Sequence, residues 1–220
     1  MITGAYLLEL TKLTEDAAFR NQEKILRENA WLAGLPNECL KISGLNAGRR
    51  TKLAKLRQLA DRVGKSVAPH AVCEKGCSYC CYIALPMTKE EAQVIGEEIG
   101  LKPLNSFSRI DSELPGIETI REQEVASRWG VPCPFLDNSA CTIYENRPLA
   151  CRMHFSLGHS AEMCSPLVAS EDSLVPNLDL RTFWLTAVIA LNPSGAYADI
   201  RDLFPSSRLG SASSMRGEGA

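Results

Sequence analysis

Seven cysteines fall into two sets, Cys73-x3-Cys77-x2-Cys80-Cys81 and Cys133, Cys141 and Cys151. Thiolate is a soft ligand, and soft sulfur selects zinc or iron–sulfur chemistry over magnesium or calcium. Four cysteines within nine residues read as a ligand set rather than as packing. The chain is therefore read as a metal-site protein, with all seven as candidate ligands.

The elements around the first set are expected to aim it. A turn at Gly76 and a short helix over 77–84, ended by Pro86, would place Cys77, Cys80 and Cys81 at i, i+3 and i+4, on one face. Thiolates at a helix N-terminus would also gain from its dipole. In the second set, Pro132 and Pro134 flank Cys133 and force an extended, helix-free approach. Tyr144, Glu145, Arg147 and Arg152 supply polar groups around that set, and either arginine can offset the charge of several thiolates.

Together, C-x3-C-x2-C-C, then CPFL, then C-x-I-Y-x-x-R-P-x-x-C-R resembles the YkgJ-type cysteine-cluster family, described as a zinc- or iron-chelating CxxCxxCC domain. The resemblance spans Cys73 to Arg152. It departs at the first spacing, where three residues rather than two separate Cys73 from Cys77. It implies a metal and not a reaction. Related clusters occur in flagellin lysine methylases, which would imply methyl transfer from S-adenosylmethionine. Cys73-x3-Cys77-x-Tyr79-Cys80 also matches the radical S-adenosylmethionine pattern, but the strands of the partial barrel that chemistry uses are not evident. A third reading is a purely structural zinc knot, and a fourth a thiol redox switch.

Zinc prefers four tetrahedral ligands, usually arriving as two pairs, whereas three or four cysteines in one loop plus a distant one is a common iron–sulfur arrangement. The spacing favours an iron–sulfur cluster over zinc. Seven cysteines exceed one four-ligand site, so two metals or spare thiols are expected. Cys164, His70 and His154 stand near enough in sequence to be considered as ligands. Cys39 reads as a bystander in a polar loop, and His159, Trp31, Trp129 and Trp184 carry no argument for a site. Hydrolase and nucleotide motifs are not recognised.

The scaffold reads as mainly α, a small helical domain with irregular cysteine-rich loops around a metal site. Helices are expected over 14–33, with Thr14 as cap and Gly34 and Pro36 as stop, and over 46–63, with Gly64 as stop and Leu53, Leu56, Ala60 and Val63 as its buried stripe. The two are expected to pair as a hairpin. The segment Thr88-Lys-Glu-Glu91 is a capping box for a helix closed by Gly100. Further helices are expected over 117–129 and 179–191. This divides the chain into an amphipathic helical segment (1–66), a cysteine-cluster domain (67–204) and a disordered tail (205–220).

Nine cysteines, an odd number, do not suit a secreted disulfide scaffold, and the N-terminus lacks a basic and apolar leader. A reducing cytoplasm is the expected compartment. No apolar run approaches the roughly 20 residues of a membrane span. The net charge of −2 is uneven. Residues 1–65 hold 12 basic against 7 acidic side chains, or +5, leaving −7 for the rest. The basic stretch 46–65 offers a face for a protein or nucleic-acid partner. The plainer reading is favoured: it docks on the chain's own acidic remainder, because no aromatic residue interleaves with those charges.

Overall fold

The computed structural model describes residues 4–74, 76–109, 127–178 and 196–206. Helices dominate: α1 (Gly4–Glu28), α2 (Leu35–Ser43), α3 (Arg49–Val67), α4 (Lys89–Ile99) and the single turns α5 (Leu149–Arg152) and α6 (Ile200–Leu203). The strands are short. Antiparallel β1 (Pro86–Thr88), β5 (Ala196–Asp199) and β2 (Ser108–Arg109) form a sheet in the order β1-β5-β2, and β3 (Leu136–Asp137) pairs with β4 (Ala140–Cys141). The mainly α expectation holds. The helix expected over 179–191 lies outside the described residues, as does most of that over 117–129 and of the tail.

The N-terminal helices differ from expectation for identifiable reasons. Helix α1 starts ten residues before Thr14, which is buried inside it rather than capping it. It ends at Glu28, followed by a 3-10 turn over Ala30–Gly34. Pro36 does not stop a helix but sits in the first turn of α2, where its missing N–H is no loss. Helix α2 packs on α3, so the simple hairpin of α1 and α3 is interrupted. Cys39 lies within α2, wholly buried, not in a polar loop. Gly64 does not end α3, which runs on to Val67. A glycine inside a helix costs about 1 kcal/mol against alanine. Here the Phe155 ring fills the space, since a Cβ on Gly64 would lie 3.1 Å from its Cζ.

The apolar stripe of α3 is as expected. Leu53, Leu56, Ala60 and Val63 are buried with Ile25 of α1 and Leu35 of α2 in one core. Its basic face meets two acids and an amide of α4. Arg57 donates to both carboxylate oxygens of Glu98 at 3.0 and 2.8 Å, Arg50 to Glu97 at 2.8 Å, and Arg49 to Gln93 at 2.6 Å. The exposed Arg50 pair adds little stability, but the Arg57–Glu98 pair, made through Arg57 Nη1, is mostly buried and fixes α3 against α4.

Helix α4 follows its sequence signals closely. Thr88 Oγ1 accepts from the N–H of Glu91 at 3.1 Å, and Gly100 closes the helix with φ +73°. The box is half made, because the Glu91 carboxylate turns away to accept the N–H of Leu149 at 2.7 Å. After Gly100 the chain folds back over Gly96. A Cβ there would lie 2.3 Å from the Leu101 carbonyl oxygen and 2.8 Å from Pro103 Cδ. Gly96→Ala is therefore expected to cost about 2–3 kcal/mol, at the upper end of overpacking. A urea midpoint equal to that of wild type would refute this close approach.

Two cores result. One is helical, and the other gathers Leu85, Met87, Ala92, Ile95, Phe135 and Leu203 around the sheet. Cys133 and Cys151 pack against the second core, so the cysteine loops rest on it.

Candidate metal centre

The first cysteine loop is not the helix expected over 77–84. Only Tyr79–Tyr82 form a 3-10 turn, and Cys77 precedes it in irregular chain, its N–H donating to the Glu74 carbonyl at 3.1 Å. The turn is closed by Cys81 N–H on the Ser78 carbonyl at 2.8 Å, an i→i+3 bond, and its end is tied to the second cysteine loop: Gly130 N–H donates to the Tyr82 carbonyl at 2.8 Å and Cys133 N–H to the Cys81 carbonyl at 2.7 Å. The helix-face and helix-dipole arguments for these thiols therefore do not apply.

The second set comes from three short devices. Cys133 runs in irregular chain between its prolines, as expected. Cys141 ends a hairpin whose two-residue loop, Asn138 and Ser139, has φ of +47° and +61°. Both loop residues positive is the hairpin turn that matches strand twist, and asparagine tolerates it. Cys151 sits on α5, whose position is set by Arg152. That guanidinium donates to both oxygens of Asp61 at 2.7 and 2.9 Å, to the Arg147 carbonyl at 3.1 Å and to the Glu145 carbonyl. Arg152 thus ties α5 to α3 rather than facing the thiols.

Electrostatic neighbours define how the thiols group. Cys73, Cys77 and Cys80 all act on Cys164. Cys80, Cys133 and Cys141 act on Cys151, and Cys133 and Cys151 act on Cys81. A hydrogen bond between the Cys80 and Cys81 side chains lowers the first and raises the second. Eight of the nine cysteines thus form one connected network, with Cys39 apart in the helical core. All nine are free thiols. Among the described residues, no three His, Cys, Asp or Glu side chains close into a finished metal-ligand set.

The surroundings fit a thiolate-bound metal. Burial pushes Cys133 and Cys164 up to about 11, and raises Cys141 and Cys151 as well, so these thiols stay protonated until a cation compensates. Donors that favour the thiolate form are in place. The N–H of Phe135 lies against Cys133 and that of Ile143 against Cys141, each two residues on. Ser156 N–H donates to Cys73 Sγ at 3.3 Å. The Ser156 hydroxyl, buried and without a placed hydrogen-bond partner, faces Cys164. Arg147, stacked on Tyr144 at 4.0 Å, favours ionisation of Cys80 and Cys141.

Two residues escaped the sequence reading. Cys164, left undecided there, joins the network. Arg201 was missed. Its guanidinium donates to Asp199, to the Val131 carbonyl at 2.6 Å and to the Cys81 carbonyl at 3.0 Å, and its charge acts on Cys133. His70 pairs with Glu28 at 3.2 Å, and desolvation holds the half-buried His154 toward its neutral form.

Beside Cys151 lies Glu91, wholly buried and pushed up to about 7 by burial, against the opposing pull of Leu149 N–H, Arg57 and Arg152. Its second oxygen has no placed partner. Between the ordinary 4.5 and about 7 the folded chain holds a proton that the unfolded chain has lost. That contribution is present below pH 4.5 and is lost as pH rises through 7, on the order of 3 kcal/mol. Glu91→Gln, which can still accept from Leu149, is expected to gain stability relative to wild type between pH 5 and pH 8. Urea titrations in parallel at both values check this, and an unchanged difference would dismiss it.

Residues 72–165 match the model of the family CxxCxxCC, described as "Putative zinc- or iron-chelating domain". The matched segment holds all seven cysteines of the two sets and also Cys164. It supports metal binding as the property of this part of the chain. Comparison with curated proteins and with solved structures gave no match. Among the described residues, no helix is long and apolar enough to cross a membrane.

Proposed function

From the match of residues 72–165 to a zinc- or iron-chelating domain, we propose that this protein holds iron as an iron–sulfur cluster through Cys73, Cys77, Cys80, Cys81, Cys133, Cys141 and Cys151, and that it serves as a redox or sensing module. The observation that carries the reading is the thiol network itself. Sulfurs of half-buried cysteines, with Cys73 more exposed, neighbour one another and are met by N–H donors at Cys73, Cys133 and Cys141. Three cysteines in one loop with a remote fourth favour iron–sulfur over zinc. Hydrogen bonds to sulfur and the burial of the site are the levers by which a protein sets the potential of such a cluster.

The chain's own residues have separate tasks in this reading. The cysteines supply the ligands and give up their protons on loading. Arg147 offsets thiolate charge at Cys80 and Cys141. Arg201 holds the Cys81 and Val131 carbonyls. The test is the metal and acid-labile sulfide content of protein purified without oxygen, with its visible spectrum. Iron with equal sulfide and a broad band near roughly 400 nm is expected. Stoichiometric zinc in a colourless protein would reject the iron–sulfur reading.

A further inference from the structure

We propose that two copies of this chain pair through the outer face of α1, with the two helices lying antiparallel. The inference is independent of the metal-binding reading above.

The inner face of α1 is firmly held. Leu10, Thr14, Ala17 and Ile25 are buried along it. Tyr6 Oη donates to Glu162 at 2.6 Å, and Asn21 Nδ2 donates to the Leu157 carbonyl at 3.0 Å. Gly158 lets Thr14 approach, for a Cβ there would stand 2.7 Å from Thr14 Cγ2. The opposite face is therefore presented on a fixed rod.

That face carries large apolar side chains. Phe19 is 66% exposed, Leu8 60% and Leu26 47%. Phe19 stands eleven residues after Leu8, and Leu26 seven after Phe19, close to three and two whole turns. The three thus form one line, about 27 Å long at 1.5 Å per residue. Single exposed apolar residues are ordinary, but a line of them on a rigid helix marks a contact surface.

The charges beside the line select the partner. Residues 4–16 hold three acids and one base, whereas residues 17–28 hold three bases and two acids. A second α1 laid parallel would set like halves together, and one laid antiparallel sets unlike halves together. Reversed about residues 17 and 18, Leu8 comes opposite Leu26 of the second copy, and Lys12 comes opposite Glu23. On the flank, Glu9 comes opposite Arg27 and Asp16 opposite Arg20. Each of these contacts occurs twice, as a two-fold interface requires. Among the described residues, none of Lys12, Asp16, Arg20, Glu23 and Arg27 is spent on an ion pair within its own chain. One helix pair is a small interface, so the association is reversible and depends on concentration.

The test is sedimentation equilibrium of the full chain over a range of concentrations, in reductant and without oxygen so that disulfides cannot join copies. Wild type is expected to pass from one chain to two as concentration rises, and Phe19→Lys to stay a monomer. Lys12→Glu and Glu23→Lys each set two like-charged pairs face to face, and each is expected to weaken association about tenfold. The double variant Lys12→Glu/Glu23→Lys restores opposite charges and is expected to return to wild-type association. All four positions are exposed or reversals of exposed charge, and urea midpoints matching wild type show that the fold is kept. Wild type that remains a monomer at every concentration overturns the proposal, since α1 then meets a different partner or none. A dimer that survives Phe19→Lys also overturns it, because copies then join through another surface. Loss of the dimer in Phe19→Lys with no effect of either single charge reversal overturns the antiparallel arrangement, for in a parallel pair Lys12 would face Lys12 and reversal would leave like charges as before.

Discussion

Arg201→Met is expected to lower stability by about 3–5 kcal/mol, the usual result of removing one partner of a buried ion pair. Arg201 is buried, and its side chain and that of Asp199 are 7% and 11% exposed. Loss of the guanidinium leaves the Asp199 carboxylate without its countercharge, although the N–H groups of Leu85 and residue 201 still reach it. It also strips the Val131 and Cys81 carbonyls of a shared donor. Those carbonyls belong to the two loops that carry Cys81 and Cys133, so metal content should fall together with stability. Arg201→Lys separates charge from geometry. Lysine keeps the charge but lacks the planar fork that spans Asp199 and two carbonyls at once. Its stability should lie between wild type and Met, and its metal content should fall as well. Urea midpoints with metal analysis of the same samples check this. A Met variant with wild-type midpoint and wild-type metal would show that Arg201 holds nothing together.

What the sequence made legible follows from where structure is decided locally. Helix α4 could be read because Thr88, Glu91 and Gly100 act within a few residues of themselves, and its start and stop are found where those residues place them. The buried stripe of α3 could be read for the same reason. The cysteine spacing announced a ligand set, and the family match covers that segment. Where the reading failed, a distant residue had decided the outcome. Gly64 reads as a helix stop until Phe155, ninety-one positions on, fills its open face. The helix over 77–84 gives way to a 3-10 turn whose end is tied to residues near 130. Arg201 could not be found from its neighbours in sequence, since its partners Val131 and Cys81 come from other loops. The capping box misled in a smaller way. Its threonine does what the motif says, while its glutamate serves Leu149 instead. Cys164 stood apart in sequence, and only the folding of its loop under α1 brings it to the thiols.

Metal-free and metal-loaded protein are expected to answer pH with clearly different slopes. In the metal-free chain, burial holds Cys133 and Cys164 at about 11 against an ordinary 9.0, with Cys141 and Cys151 raised too. Between 9 and 11 the folded chain keeps protons that the unfolded chain loses. This contribution is therefore full below pH 9 and is lost as pH rises through 11. Loading reverses the balance. Ligating thiols are deprotonated in the folded state, so below pH 9 the unfolded chain is the one that binds more protons. Stability of the loaded protein then rises with pH, by up to about 1.4 kcal/mol per pH unit for each displaced proton. Metal affinity rises with it, by up to about tenfold per pH unit per thiol, and acid strips the metal. The measurement is the urea midpoint from pH 6 to pH 10, with and without a chelator. Glu91→Gln is the better background, because it removes the carboxylate that titrates near pH 7. Loaded protein should gain stability from pH 6 to pH 9 through every ligating thiol, while the chelated protein gains there only through Cys80, lowered to about 7 by its hydrogen bond with Cys81, and weakens above pH 9. Two parallel profiles would mean that the buried thiols keep their protons whether or not metal is supplied, and that the cysteine network is not where the metal binds.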